Sequence, residues 1–287
     1  MFDAALPSDP APSSDARSPR LQRARGCARL GVARLDGATR LQELYQDGCA
    51  KLRCPKTHGS DFFEAVLLNT AGGLTGGDHV ETDIRVGPGA KLTVTGQTCE
   101  RIYKSSGGDA QVETRLSLGD DAHLEWMPQE TILFDRGRIR RSLNVEMATN
   151  ARLLAVEPIV FGRVASGETL GPGLFRDAWR IHCNGDLRYA DETRLDGEIG
   201  EIIDRPATLN GAKAIATVLY VVPDAETLVA RARETLNGAP VIGGVTYVNG
   251  VLLSRLIARD SMQLRAGLIP FLSFLRDARD MPRAWYS

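Results

Sequence analysis

The sequence is organised around the stretch Asn69-Thr70-Ala71-Gly72-Gly73-Leu74-Thr75-Gly76-Gly77-Asp78, in which four of ten residues are glycine. An apolar segment (62–68) precedes it and an alternating segment (78–86) follows it, and both patterns are typical of β-strands. Paired glycines occur where the backbone takes a positive φ or lies very close to another group. A phosphate, a metal ion and the backbone of a partner segment are the candidates for that group.

The glycine-rich stretch does not match a phosphate-binding loop. A Walker loop ends in Gly-Lys-Ser/Thr, whereas Asp78 follows Gly77 here and would repel a phosphate. A dinucleotide loop opens a helix, whereas the residues after Asp78 alternate with a period of two and predict a strand. We therefore attribute the glycines to backbone crowding inside a β body.

Three segments downstream share one pattern: a strand, a tight turn, and Ala-x-Leu at the start of the next strand. They are 84–94, 116–126 and 145–155, with alanines at 90, 122 and 151, and residues 184–189 repeat the pattern faintly. A strand–turn–strand unit that recurs at this interval is typical of stacked β architectures, whereas strands of a sandwich recur at about 8–12 residues. The sequence predicts a mainly β protein with a stacked-sheet or β-helix-like body, in preference to a plain sandwich.

The later part of the chain predicts a small α/β portion with about two helices. The first spans residues 225–236 behind a capping Asp224, and the second spans roughly residues 262–277 behind Asp260. Pro270 is expected to kink or split the second helix. Asp36-Gly37 and Asn249-Gly250 each predict a β-hairpin turn. The second helix carries its apolar residues on one face: Leu264, Leu268, Phe271, Leu272 and Leu275.

Composition excludes several classes of protein. The 287 residues carry a formal net charge of −1 from 35 basic and 36 acidic residues, which argues against a general nucleic-acid binder. No apolar run approaches the ~20 residues of a membrane helix. Residues 1–20 contain four prolines and no apolar centre, so we expect a disordered tail in place of a secretory signal, followed by a single domain over residues 21–287. Five scattered cysteines without a CxxC pair favour the cytoplasm.

Six residues are candidates for chemistry, each with a simpler structural interpretation. Asp78 and His79 could bind a divalent ion, but neighbours on a strand point to opposite faces. Cys99 could be reactive, although a buried inert thiol is the commoner case. The carboxylates of Glu130, Glu157 and Glu168 lie at predicted bends, where they could line one channel or simply be solvated. No Ser-His-Asp set, HExxH helix or deaminase signature occurs, so no catalytic site is evident.

Four segments together resemble the urease accessory protein family UreD, also called UreH. They are the glycine-rich stretch 69–78 and the segments 98–105, 125–132 and 161–168. The resemblance runs in the expected order from about Gly31 to Tyr286. It implies a non-catalytic scaffold with a β-helix-like body that binds apo-urease on one side and the helical protein UreF on the other. UreF in turn recruits UreG, a GTPase that carries nickel.

The resemblance also implies that nickel passes through a channel to the urease site, where a lysine is carbamylated. No cofactor would be bound tightly, and Ni²⁺ would be held only transiently. As channel acids we expect Asp78, Glu130, Glu157 and Glu168, with His79 and Cys99 as further nickel ligands. The UreF contact is expected at the hairpin 245–256 and the last helix. The alternatives are a metal- or nucleotide-dependent enzyme that uses residues 69–78, and a solenoid binding module.

Overall fold

The computed structural model describes residues 22–56, 60–163 and 166–286. The predicted disordered tail lies outside the described residues. Strands form 53% of the structure and helices 14%, which confirms a mainly β protein. The described residues form seventeen strands: β1 (Arg25–Leu35), β2 (Ala38–Gly48), β3 (Ala50–Arg53), β4 (Phe63–Asn69), β5 (His79–Val86), β6 (Lys91–Gly96), β7 (Glu100–Ile102), β8 (Ala110–Leu118), β9 (His123–Met127), β10 (Thr131–Leu133), β11 (Arg138–Met147), β12 (Arg152–Phe161), β13 (Pro172–Cys183), β14 (Asp186–Glu198), β15 (Ala214–Val221), β16 (Ile242–Val248) and β17 (Val251–Ala258). The α-helices are α1 (Ile199–Asp204), α2 (Val229–Glu234) and α3 (Ser261–Leu275).

The strands form two sheets that face each other. The first has the order β14-β13-β11-β8-β5-β1-β2, and the path of the second is β16-β17-β15-β12-β9-β6-β4-β3. In the first sheet, β1, β5, β8, β11 and β13 are parallel, and in the second, β4, β6, β9 and β12 are parallel. The short strands β7 and β10 pair in parallel beside the second half of β12. Successive coils therefore stack, as the repeat predicts.

The Ala-x-Leu repeat marks equivalent turns of these coils. The amides of Ala90, Ala122 and Ala151 each donate to the carbonyl three residues earlier, all at 3.1 Å. All three alanines are at most 1% exposed, because they belong to one apolar cluster of the core. The faint fourth copy is different: Asn184 and Gly185 take positive φ and turn the chain back into antiparallel β14, so no further coil begins there.

The glycine-rich stretch lies between β4 and β5, and it packs against the segment 101–108 of its own chain. A Cβ atom built on Gly76 would lie 2.0 Å from Ser105 Oγ, and one on Gly73 would lie 2.7 Å from the carbonyl oxygen of Arg101. Backbone crowding therefore explains both glycines. A strand, not a helix, follows Asp78. The geometry required for a dinucleotide loop is absent from this stretch.

The two predicted helices are present. Asp260 caps α3 by accepting a hydrogen bond from the amide of Gln263 at 2.8 Å. The helix is continuous through Pro270, and all five apolar residues of its predicted face are at most 3% exposed within this chain. Asp224 does not cap through its side chain; its backbone carbonyl accepts from Thr227 instead. Both predicted hairpin turns connect antiparallel strands, β1–β2 and β16–β17.

A buried cluster of charges, here called the Glu125 cluster, fastens the segment after α3 to the body. Glu125 is 0% exposed and accepts hydrogen bonds from Thr93 Oγ1 at 2.6 Å, from Arg276 Nε at 3.1 Å and from Arg279. Burial alone would raise the pKa of Glu125, but the two guanidinium groups and the Thr93 hydroxyl hold that pKa below its usual value.

Candidate functional site

A cavity of about 200 Å³ with both apolar and polar lining residues lies between the two sheets and extends across several coils. One end is formed by the loops 69–74 and 97–101, which include exposed residues. The other end reaches β11, β12 and β13. A cavity of this size holds several water molecules. Its polar and charged lining residues include Asn69, Cys99, Glu100, Gln129, Thr131, Arg141, Glu157 and Asp177.

The inner end of the cavity interrupts the apolar core. Three consecutive strands of the stack, β11, β12 and β13, each place one charged residue inward: Arg141, Glu157 and Asp177. On each strand, the inward residues two positions before and two positions after belong to two different apolar clusters. The charged residues therefore form a belt between these clusters, and Arg141 and Asp177 are direct neighbours in the β11–β13 register.

These three residues, here called the Arg141 cluster, contact one another directly. Arg141 Nη2 lies 2.7 Å from Glu157 Oε2 and 2.7 Å from Asp177 Oδ2. The indole of Trp126 donates to Glu157 Oε1 at 3.0 Å, and the indole of Trp179 donates to Asp177 Oδ2 at 3.1 Å. Burial raises the pKa of Glu157; Arg141 opposes this rise and the Asp177 carboxylate adds to it.

Glu100 is the carboxyl group at the loop end of the cavity. The side-chain amide of Asn69 donates to both of its oxygens at 3.1 Å, while Asn69 Oδ1 accepts from the amide of Ala71 and fixes that orientation. Burial raises the pKa of Glu100 to about 7, although the Asn69 hydrogen bond opposes the rise. Glu100 is therefore a carboxyl group of the cavity that changes charge near neutral pH.

Two of the six predicted site residues, Cys99 and Glu157, line this cavity, and the other four do not. Asp78 is 4% exposed and accepts from the backbone amides of Ala24 and Thr75, both at 2.8 Å. It therefore holds the start of β1 against the glycine-rich turn. His79 lies on the partly exposed outer face of the first sheet, with Nε2 3.3 Å from Glu113 Oε1.

The remaining two predicted residues are engaged in ion pairs outside the cavity. Glu130 Oε1 accepts from Arg265 Nε at 2.5 Å and so connects β10 to α3. Glu168 accepts from the backbone amides of Asp135 and Arg163 and from the Arg163 guanidinium. Both carboxylates have local structural partners.

Sequence reasoning missed Glu100, Arg141 and Asp177. The sequence does contain a signal for Arg141 and Asp177, because each is a charged residue at an inward position of an alternating strand. Arg141 lies between inward Ile139 and Leu143, and Asp177 lies between inward Phe175 and Trp179. In the described part of the chain, no cluster of three His, Cys, Asp or Glu side chains is arranged to hold a metal ion. The same residues include no helix long and apolar enough to span a bilayer.

Comparison with known proteins assigns the chain to a family. The family model for the UreD urease accessory protein matches residues 24–286. The chain belongs to the UreD family. A relative named urease accessory protein UreD from Rhizobium rhizogenes is 47% identical over 270 residues, which cover 94% of this chain and 98% of the relative. UreD proteins from Rhizobium etli and Agrobacterium fabrum are 46% and 44% identical, with 94% of this chain and 98% and 94% of the relatives covered.

Proposed function

We propose that this protein is a non-catalytic scaffold of urease maturation that passes Ni²⁺ through its internal cavity to apo-urease. The family assignment supports the role in urease maturation. The cavity is the observation that carries the nickel path, because two of the predicted nickel ligands, the thiol of Cys99 and the carboxylate of Glu157, line it. In this proposal apo-urease and UreF bind the scaffold, UreG joins through UreF, and assembly takes place in the cytoplasm.

The donor set of the cavity suits an ion in transit. Thiolate and carboxylate groups both bind divalent transition metals, and a cage of three or four of them would hold the ion firmly. The lining offers only two donors at each of two separate ends instead: Cys99 and Glu100 at the loop end, and Glu157 and Asp177 at the inner end. A path with separated donors lets an ion leave each position. No cofactor is required to remain bound.

Blocking the cavity tests the nickel path. Thr114 lines the cavity and Glu113, its neighbour on β8, lies on the outer face of the same sheet. We expect Thr114→Phe to lower the nickel content of urease in cells that co-express the urease and accessory genes, while urease and UreF still co-purify with the variant. Glu113→Phe is the matched control and should leave nickel content unchanged. If Thr114→Phe loads urease as fully as the wild type, the cavity is not the path.

The UreF contact is proposed at the exposed positions of β16 and α3. The apolar face of α3 is covered by its own chain, so it is not available to a partner. Ile242 and Met262 are 73% and 79% exposed. Met262→Asp and Ile242→Asp should weaken the recovery of UreF in a pull-down. Leu187→Asp on β14, where the side chain is 53% exposed, is the control, and equal recovery with all three variants would refute this placement.

A further inference from the structure

The guanidinium of Arg141 occupies the point on which two buried carboxylates converge. Its Nη2 atom is 2.7 Å from an oxygen of Glu157 and 2.7 Å from an oxygen of Asp177. The side chains of Arg141, Glu157 and Asp177 are 8%, 9% and 8% exposed. Thr131 Oγ1 accepts from Arg141 Nη1 at 2.9 Å, and the Phe175 ring lies 5.4 Å from the guanidinium carbon. All three charged side chains line the cavity.

The Arg141 cluster is short of positive charge, and its one unpaired donor, Arg141 Nε, is buried without a hydrogen-bond partner among the described residues. One guanidinium faces two carboxylates, so full ionisation leaves one excess negative charge. Asp177 Oδ1 is buried and has no hydrogen-bond partner on any residue that the structure describes. Buried polar atoms without partners are rare and unfavourable, and a buried carboxylate oxygen is among the least tolerated. The cluster therefore has an unfilled capacity for a cation at the wall of the cavity.

We propose that Arg141 is a tethered cation in a divalent-cation position, and that it sets how tightly the cavity holds an ion in transit. The entering ion competes with the guanidinium for Glu157 and Asp177. The identity of the ion as Ni²⁺ rests on the proposed function, whereas the competition itself rests on the geometry. Arginine suits this role because its guanidinium stays protonated in proteins and is a permanent competitor.

The competition explains why two carboxylates in a poorly solvated cavity do not retain a divalent ion tightly. Attraction between a divalent ion and a carboxylate grows as the local dielectric constant falls, so an open pair of buried carboxylates would retain the ion. With Arg141 in place, the ion can bind the two carboxylates only by displacing the guanidinium that already contacts both of them. Release is then assisted by return of the guanidinium.

Nickel binding by the purified full-length chain tests this inference without urease. Equilibrium dialysis against Ni²⁺ should show one additional site in Arg141→Gln, with a dissociation constant roughly tenfold or more below the weak binding of the wild type. Arg141→Gln with Asp177→Asn should lose that site again. If Arg141→Gln is folded and binds Ni²⁺ no more tightly than the wild type, the inference is overturned.

A second variant decides the matter where Arg141→Gln does not fold. Arg141→Lys keeps a positive charge, but its compact ammonium lacks the planar fork that reaches both carboxylates and Thr131. We expect it to fold and to bind Ni²⁺ more tightly than the wild type. A folded Arg141→Lys with wild-type binding would overturn the inference. In cells, tighter binding should lower delivery to urease; the proposed function itself fails separately, if deletion of the protein leaves the nickel content of urease unchanged.

Discussion

The Glu125 cluster and the Arg141 cluster use the same side chains in opposite proportions. In the first, two guanidinium groups and a hydroxyl surround one carboxylate that is 0% exposed. In the second, two carboxylates share one guanidinium, and an oxygen of Asp177 is left without a partner among the described residues. Correspondingly, the pKa of Glu125 is lowered and that of Glu157 is raised.

The difference separates a structural role from a functional one. The Glu125 cluster connects the segment after α3 to the stacked body, so its value lies in being fully satisfied. The Arg141 cluster joins β11 and β13, which the backbone already pairs in the first sheet, to β12 in the second sheet. An incompletely neutralised charge at a cavity wall adds little to that pairing, but it makes the wall attractive to cations. Buried ion pairs in general are weak stabilisers whose disruption is costly.

The largest expected loss in the free energy of unfolding follows a substitution in the Glu125 cluster. Glu125→Gln leaves the guanidinium of Arg276, whose side chain is 4% exposed, without its carboxylate. We expect a loss of about 3–5 kcal/mol in the free energy of unfolding, measured by urea denaturation. Glu113→Gln on the outer face of β8 is the control and should cost at most about 1 kcal/mol. Equal losses in the two variants would show that the Glu125 cluster does not fasten α3.

Glu100 offers a test that depends on pH. The folded protein holds a proton on Glu100 up to a pKa of about 7, whereas the unfolded chain releases it near the ordinary glutamate pKa of 4.5. The contribution of Glu100 to the stability of the wild type should therefore fall as pH rises through this window, by roughly 3 kcal/mol in total. Glu100→Gln remains neutral and should exceed the wild type in stability at about pH 8, but not at about pH 4. A stability difference that is independent of pH would contradict this.

The smallest expected change in the free energy of unfolding follows a substitution in the Arg141 cluster. Asp177→Asn leaves one carboxylate for one guanidinium and retains an acceptor for the indole of Trp179. We expect the free energy of unfolding at neutral pH to change by less than about 1 kcal/mol, in contrast to Glu125→Gln. Denaturation of both variants side by side measures the contrast. A loss of about 3 kcal/mol or more in Asp177→Asn would remove the distinction between the clusters.

The stacked body was predictable because its signal repeats along the chain. The Ala-x-Leu units at 90, 122 and 151 report the same buried turn three times, and Asp260 marks the start of α3 by a local rule of helix capping. Such signals depend on neighbours in sequence. These local signals can therefore be recognised from the sequence without knowledge of the tertiary structure.

The cavity was only partly predictable because its partners are distant in sequence. Glu130 carries no local mark of its pairing with Arg265, which is 135 residues away, so it was assigned to the channel. The residue type alone does not distinguish Arg141, which points inward, from Arg138 and Arg140, which point outward on the same strand. Glu100 lies beside Cys99, and a thiol is a more specific sequence signal for a transition-metal ligand than a carboxylate is. Packing of the two sheets decides which of these side chains meet.

The separation of 151 residues between Glu125 and Arg276 also sets a delay between the synthesis of these two partners. At synthesis rates of about 5–20 residues per second, Glu125 emerges from the ribosome roughly 8–30 s before its arginine. During that interval the coils can stack, but the residues of β9 and β12 that share an apolar cluster with α3, among them Met127, Leu154 and Val156, remain open to solvent. Exposed apolar surface of this kind favours aggregation of a nascent chain. The yield of folded protein therefore depends on how quickly the ribosome translates residues 126–276.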